Sequence, residues 1–484
     1  LICNFGTPAQ IEAFALPQIE GRWFGTMCLS EPQAGSSLSD IATRAVADGD
    51  GFEVDPLGPR YRLTGNKMWI SAGDHELTEN IVHIVLAKIP DAEGKPVPGT
   101  RGISLFIVPK RMVAVHGADA AVTLGARNDV ALAGLNHKLG WRGTTNTLLN
   151  FGEGKYLVDG KAGAVGYLVG KPGEGLRCMF HMMNEARIGI GMAATMLGLA
   201  GYYTALDYAA GRPQGRPVGP EGKDPAQPQV RIIEHADVKR MLLAQKAYGE
   251  GALALELYCA RLVDEQRTGD AQAADDASLL LEVLTPIAKS WPSEWCLEAN
   301  SLAIQVLGGY GYTRDFPVEQ YWRDNRLNMI HEGTHGIQAM DLLGRKVLMA
   351  QGRGLQLLAG RIEATAARAR GDADLATHAD ALADALRQLL AATQAAWAGG
   401  APREALANAV PYLQAFGHVV LAWIWLDVAL CAQRINAVSP GLGHVGRLSA
   451  CGFFFRYELP KIAAWLGVVE RRDMTCADMP EGAF

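Results

Sequence analysis

The feature that most constrains this chain is a change of hydrophobic period near position 173. Before it, short β-rich runs such as 61–63, 81–87 and 102–108 are separated by Gly, Pro and Asp clusters. That pattern predicts a small antiparallel β-domain over 26–160. After it, apolar residues recur at helical spacing, as in Leu176, Met179, Phe180 and Met183, then Ile188 and Met192. Further helical patterns cover 232–267, 278–307 and 335–350, while the Pro/Gly-rich stretch 212–229 cannot be helical and must be a loop. Four long helices predict a bundle over 173–352. Amphipathic segments at 362–397, 405–438 and 444–467 predict an additional helical domain over 353–484. The fold class expected is therefore α+β.

A chain of 484 residues has room for about three domains. Its 49% hydrophobic and 20% charged composition is that of an ordinary globular protein. A net charge of −6 without a long basic run gives nothing to track a phosphate backbone, so no nucleic-acid partner is expected. The longest apolar stretch, 419–431, is interrupted by Asp427 and falls short of the ~20 residues that cross a bilayer. It predicts a buried helix, and no membrane span is expected. The eight cysteines form no CxxC pair, so neither a metal site nor a redox dithiol is expected, and reduced thiols of a cytoplasmic protein are the default. The first residues lack a basic region followed by an apolar one, so no signal peptide is expected.

Four motifs carry chemistry. The turn Ser30-Glu31-Pro32-Gln33-Ala34-Gly35-Ser36 is rich in hydroxyl and backbone donors and can meet a heterocycle edge-on; equally, it can be a surface turn after a strand. In Lys67-Met68-Trp69-Ile70-Ser71, strand alternation puts Trp69 and Ser71 on one face, as a ring platform with a hydroxyl or as core filling. The glycines of Gln305-Val306-Leu307-Gly308-Gly309-Tyr310-Gly311-Tyr312 end a helix and let backbone approach a ligand. In His331-Glu332-Gly333-Thr334, Thr334 is a plausible N-cap, and a carboxylate near a helix N-terminus is electrostatically favoured with or without a function.

The order and spacing of the four motifs resemble the acyl-CoA dehydrogenase family over about 1–350. The acid-containing turn is preceded by Leu29, the tryptophan strand by Gly65-Asn66, and Gly309 and Glu332 lie 23 residues apart. The resemblance implies a middle β-domain and a C-terminal four-helix bundle, with 1–25 as a remnant of an N-terminal helical domain. The extension after Gly354 resembles the long bacterial form, including enzymes of the methylmercaptopropionyl-CoA dehydrogenase type. Segments such as Leu124-Gly125-Ala126-Arg127-Asn128-Asp129 and the run from Gly336 to Lys346 match that form.

By that resemblance the cofactor is FAD, and the substrate is an acyl-CoA thioester. Leu29, Ser30, Gly35, Ser36, Trp69, Ser71 and Thr334 would hold the flavin and its surroundings. Arg212 and Gln214 would reach the flavin pyrophosphate of a neighbouring subunit, and Gln305, Gly308 and Gly309 its adenosine half. This implies a homodimer or dimer of dimers. Ser36, Arg187 and Gly333 would lie on the substrate side, although Arg187 could equally tie two bundle helices together. Glu332 would remove the α-proton, with its own N–H polarising the thioester carbonyl, and the hydride from the β-carbon would pass to flavin N5. An electron-transfer flavoprotein would take the electrons. Two alternatives share the fold: an oxidase that uses O2, and a non-catalytic flavoprotein that binds DNA. The chain departs from the family at His331, where an aromatic is usual, and at Gly336, where a polar residue is common.

Overall fold

The computed structural model of the chain describes residues 1–116 and 121–484. Chain packing separates two units, Leu1–Glu185 and Ala186–Phe484.

In the first unit, Ile2–Phe5 and a helical run from Pro8 to Ile19 precede the strands. Thr7 and Gln10 form a capping box at the start of that run. The buried Gln10 amide then donates to the Leu57 and Leu168 carbonyls, both at 2.9 Å. Ten strands follow: β1 (Trp23–Cys28), β2 (Arg44–Ala47), β3 (Arg60–Ser71), β4 (Asn80–Lys88), β5 (Ile103–Pro109), β6 (Arg111–His116), β7 (Ala121–Arg127), β8 (Val130–Leu135), β9 (Asn146–Phe151) and β10 (Ala164–Val169). Eight of them share one sheet in the order β1-β4-β5-β10-β3-β9-β8, and β2 pairs with both β3 and β4. Strands β4, β5, β10, β3 and β2 therefore return on themselves as a closed ring, which removes exposed edges there.

The sheet is mixed, which corrects the antiparallel expectation. β1 runs parallel to β4, and so does β2 over one pair. The connection from Cys28 to Asn80 is long enough to bring β4 back in the direction of β1, something no hairpin can do. Alternation along the strands then separates two cores. Leu105, Ile107, Val165 and Tyr167 face one way, and Phe106, Val108, Ala164 and Leu168 the other. The Asn128-Asp129 corner is buried and satisfied. Asn128 bonds the Pro109 and Val165 carbonyls, and Asp129 accepts from Gly154, Tyr156 and Gly163.

The second unit is helical. Its long helices are Ala236–Thr268 and Ala271–Leu307, with the Gly175–Gly211 helix crossing the boundary between the units. The stretch expected as a helix over 335–350 ends at Gly344, and Lys346–Gly352 continues as a tighter turn kinked at Ala350 and Gln351. Beyond it lie Arg353–Arg370, Ala376–Trp397, Ala409–Val438, Leu442–Phe453 and Ile462–Glu470. One hydrophobic core joins Leu255, Leu284 and Ile287 to Leu358, Leu382, Phe416 and Phe454. The helices after 353 share that core, so packing gives two units where the sequence pattern predicts four parts.

Ala409–Val438 corrects the reading of the apolar run at 419–431. The run lies within a helix of 30 residues that, with Glu185–Gly211, is long and apolar enough to cross a membrane. In its most apolar window 78% of residues are buried within the protein, as expected of a core helix.

A buried ion pair sets the turn at 30–36. Lys67 on β3 is 0% exposed, and its ammonium lies 2.8 Å from the Glu31 carboxylate. It also donates to the Leu29 carbonyl at 3.1 Å. Burial pushes the Glu31 carboxyl up, but the Lys67 charge, the Ala42 N–H and the Thr43 hydroxyl outweigh it and hold the group below its usual range. Lys67→Met should therefore destabilise the protein by about 3–5 kcal/mol, because it strands a buried carboxylate. Urea unfolding measures this, and a loss under ~1 kcal/mol, the range of a surface pair, would contradict it. A folded-state pKa held low also means that the pair's contribution is present above the usual carboxylate range and fades as pH falls through the lowered value.

Candidate active site

Two groups of the residues named from the sequence lie in the first unit. The turn at 30–36 closes with reciprocal bonds between Glu31 and Ala34. Leu29 and Ser30 are tied to β3 through their carbonyls, which accept from Lys67 Nζ and from the Met68 N–H at 3.0 Å. Gly35 and Ser36 stand exposed at the tip, and a Cβ at Gly35 would meet nothing. The turn and the tryptophan strand are thus one local structure.

Trp69 does not fill the core. A one-residue bulge between Lys67 and Ile70 interrupts the β3–β9 ladder, and Trp69 sits in it with φ of 68°. Left-handed backbone costs a non-glycine residue roughly 1–2 kcal/mol. The indole is nonetheless 57% exposed, while Ile70 beside it is buried and Ser71 is exposed. A large ring held outward by strained backbone is a platform that a flat ligand would cover. That arrangement fits a flavin.

In the second unit the loop 328–333 carries Glu332 into the His335–Gly344 helix. Thr334 caps that helix, its Oγ accepting from the Ile337 N–H. Glu332 does not share in the capping. Its Oε2 is buried and has no hydrogen-bond partner among the described residues. Burial pushes the Glu332 carboxyl above its usual range, and nearby Arg187 and Lys289 oppose that only in part. The residue has φ of 54° and is followed by Gly333 at 94°, so two successive residues are left-handed. A side chain at Gly333 would also strike the Gln338 amide at 2.5 Å. Among the described residues the Glu332 N–H meets no acceptor.

The supports of this loop were not found in the sequence. Gln338 donates to the Glu332 carbonyl at 3.0 Å. Lys289, deep in the Ala271–Leu307 helix, donates to the carbonyls of Asn328 and Gly333, both at 2.7 Å. A chain of amides links Asn328 to Asn325, Asn325 to Asn300 and to the Ala194 carbonyl, and Asn300 to the Leu197 carbonyl. His331 is mostly buried, and burial together with Lys289 lowers it to about 4, so its ring is neutral at pH 7. It stands where an aromatic was expected, and its buried Nε2 has no hydrogen-bond partner among the described residues. Arg187 is 4% exposed and bridges to Asp341 on the His335–Gly344 helix at 3.5 Å, while its Nε stays unpartnered. Both of its sequence readings therefore keep support: it ties two helices, and it carries a free donor.

The remaining named residues form a separate cluster. Gly308 ends the Ala271–Leu307 helix with φ of 62°, and Cβ atoms at Gly308 and Gly309 would point into open space. Arg212 lies over the Tyr310 ring at 5.8 Å and reaches the Gln214 side chain, which like Gln305 is exposed. The 212–229 loop and the glycine turn are thus neighbours. No group of three metal-ligating side chains occurs among the described residues.

Three family models match the chain: acyl-CoA dehydrogenase middle domain over 26–134, acyl-CoA dehydrogenase C-terminal domain over 173–348, and acetyl-CoA dehydrogenase C-terminal like over 358–480. The chain is 40% identical to 3-methylmercaptopropionyl-CoA dehydrogenase of Ruegeria pomeroyi, with 88% of this chain and 68% of the relative aligned. It is 34% identical to butyryl-CoA dehydrogenase of Syntrophomonas wolfei over 98% of this chain and 75% of the relative. The structure of an acyl-CoA dehydrogenase from Bacillus anthracis complexed with FAD shares the fold, with TM-score 0.72, 20% identity and coverage of 96% of this chain and 72% of that one. The chain belongs to the acyl-CoA dehydrogenase family.

Proposed function

We propose that this chain is an FAD-dependent acyl-CoA dehydrogenase that converts an acyl-CoA thioester to its α,β-enoyl thioester, with Glu332 as the base. The observation that carries the assignment is a buried carboxylate with an unpartnered oxygen, on a left-handed loop whose own N–H is free. Nothing structural consumes that oxygen. A carboxyl pushed up by burial is a better base than an exposed one, and it can keep the α-proton after taking it. The free Glu332 N–H is the donor for the thioester carbonyl, which must be polarised as the α-carbon loses its proton. Gly333, Arg187 and Ser36 are assigned to the substrate side.

Trp69, Ser71, Leu29, Ser30, Gly35 and Ser36 are the groups that would hold the isoalloxazine side of FAD, and Thr334 a further contact. FAD, when bound, supplies the acceptor for the hydride that leaves the β-carbon. The half-buried Arg212 and the exposed Gln214, Gln305, Gly308 and Gly309 would complete the flavin site of a neighbouring subunit in a homodimer or dimer of dimers. An electron-transfer flavoprotein is the acceptor this reading assigns to the reduced enzyme. All eight cysteines are free, which supports a reducing compartment, the cytoplasm.

Glu332→Gln preserves shape and removes the basic oxygen. Flavin should stay bound and substrate should still bind, yet anaerobic bleaching of the flavin by butyryl-CoA should slow by more than the roughly 10²–10⁴ of general base catalysis. Near-normal bleaching in this variant, with loss in Glu185→Gln, would move the base to Glu185.

Trp69→Ala tests the platform. Losing one stacked ring costs about 1–3 kcal/mol, so flavin affinity should fall roughly 10–100-fold while the melting profile of the apoprotein changes little. Flavin absorbance after dialysis measures this, and unchanged retention would remove Trp69 from the site. The same flavin-loaded wild-type protein should sediment as a dimer or larger; a strict monomer would sink the intersubunit assignment.

A further inference from the structure

We propose that Lys289 is a positioning residue for proton abstraction: it clamps both ends of the Glu332 loop, and its positive charge acts on the base. The proposal rests on the reading of Glu332 as the base.

Lys289 is 0% exposed in a helix segment whose neighbours Ile287, Ala288, Ser290 and Trp291 are also buried. A buried ammonium is costly and is normally matched by a carboxylate. Among the described residues Lys289 has no ion pair; its ammonium is spent on two backbone carbonyls instead, Asn328 at 2.7 Å and Gly333 at 2.7 Å. Those carbonyls bracket the loop. Between them, Glu332 and Gly333 hold successive left-handed conformations that an unrestrained chain would leave. Gln338 fixes the intervening Glu332 carbonyl. Three donors thus turn the carbonyls of this loop inward, and the Glu332 N–H is left without an acceptor.

The charge has a second effect. The charged groups acting on Glu332 are Arg187 and Lys289, and those acting on Lys289 are Glu332 and Arg187. Arg187 is already engaged by Asp341, which also holds Arg345. The adjacent His331 is neutral, and Lys346 is paired with Glu282. Arg187 and Lys289 both favour the ionised form of Glu332, and Lys289 does so while its ammonium is held by the loop's own carbonyls. Burial lowers the Lys289 ammonium to about 8, so that charge is present at neutral pH and lost as pH rises past that value.

The test is the pH dependence of anaerobic bleaching by butyryl-CoA, at saturating substrate, in full-length flavin-loaded protein. Lys289→Met removes both the clamp and the charge. Its bleaching midpoint should move up by about one unit or more, because an opposing charge typically lowers a carboxyl by 1–3 units. Its limiting rate should fall about 100-fold, as expected when a reacting group is misplaced, with KM little changed. Lys289→Arg keeps the charge but not the geometry, so its midpoint should stay near that of wild type while its rate falls. If Lys289→Met does not retain flavin, the Arg variant decides: a wild-type midpoint supports the proposal and a raised one overturns it. A Met variant with wild-type midpoint and rate overturns it as well. Glu332→Gln run alongside separates the two ideas, since fast bleaching there would defeat the base assignment whatever Lys289 does.

Discussion

Leaving one oxygen of a buried carboxylate without a partner is the constraint on which the second unit turns. A group like Glu332 would ordinarily accept hydrogen bonds, protonate or move to solvent. Here Oε2 meets no donor, and burial raises the carboxyl above its usual range while two cations oppose that shift only in part. Gln338 and Lys289 draw the loop carbonyls inward, Thr334 takes over the capping of the following helix, and the cations Arg187 and Lys289 keep the ionised form within reach. The cost is visible as two successive left-handed residues, and the return is a carboxylate oxygen that has no competing contact among the described residues.

The first unit spends its buried charge differently. Lys67 and Glu31 neutralise one another inside the fold and link the 30–36 turn to β3. The bulge immediately after Lys67 then turns Trp69 outward. Trp69 and Glu332 are both held in left-handed backbone. In both places a satisfied buried lysine lies close by, bonded to the backbone of the strained segment or of the turn beside it.

Much of this was legible in the sequence, and the failures have physical causes. The change of period near 173 located the helical part, and the Thr at 334 announced a cap. Glu332 was legible only through the spacing of several motifs, because a carboxylate at a helix start has an equally good structural reading. Trp69 was left open between a ring platform and core filling, since simple alternation assumes an unbroken ladder and a bulge resets the face. The parallel β1–β4 pair could not be inferred from strand patterns, which carry no sign for direction. Lys289 and Gln338 looked like ordinary polar residues in helices; their partners are backbone carbonyls far along the chain, which no spacing rule encodes. The apolar run at 419–431 was read as a buried helix, and the helix proves longer at both ends, with Asp427 carried on a more exposed flank.

The account stands most directly on the exchange of the substrate α-proton with solvent. That step needs the base and a polarised carbonyl, and it can be followed by mass spectrometry with flavin-loaded enzyme in D2O, using a thioester that lacks a transferable β-hydride. Wild-type protein should introduce deuterium at the α-carbon, and Glu332→Gln, with its flavin retained, should not. Exchange at the wild-type rate in Glu332→Gln would contradict the central claim that this carboxylate takes the proton.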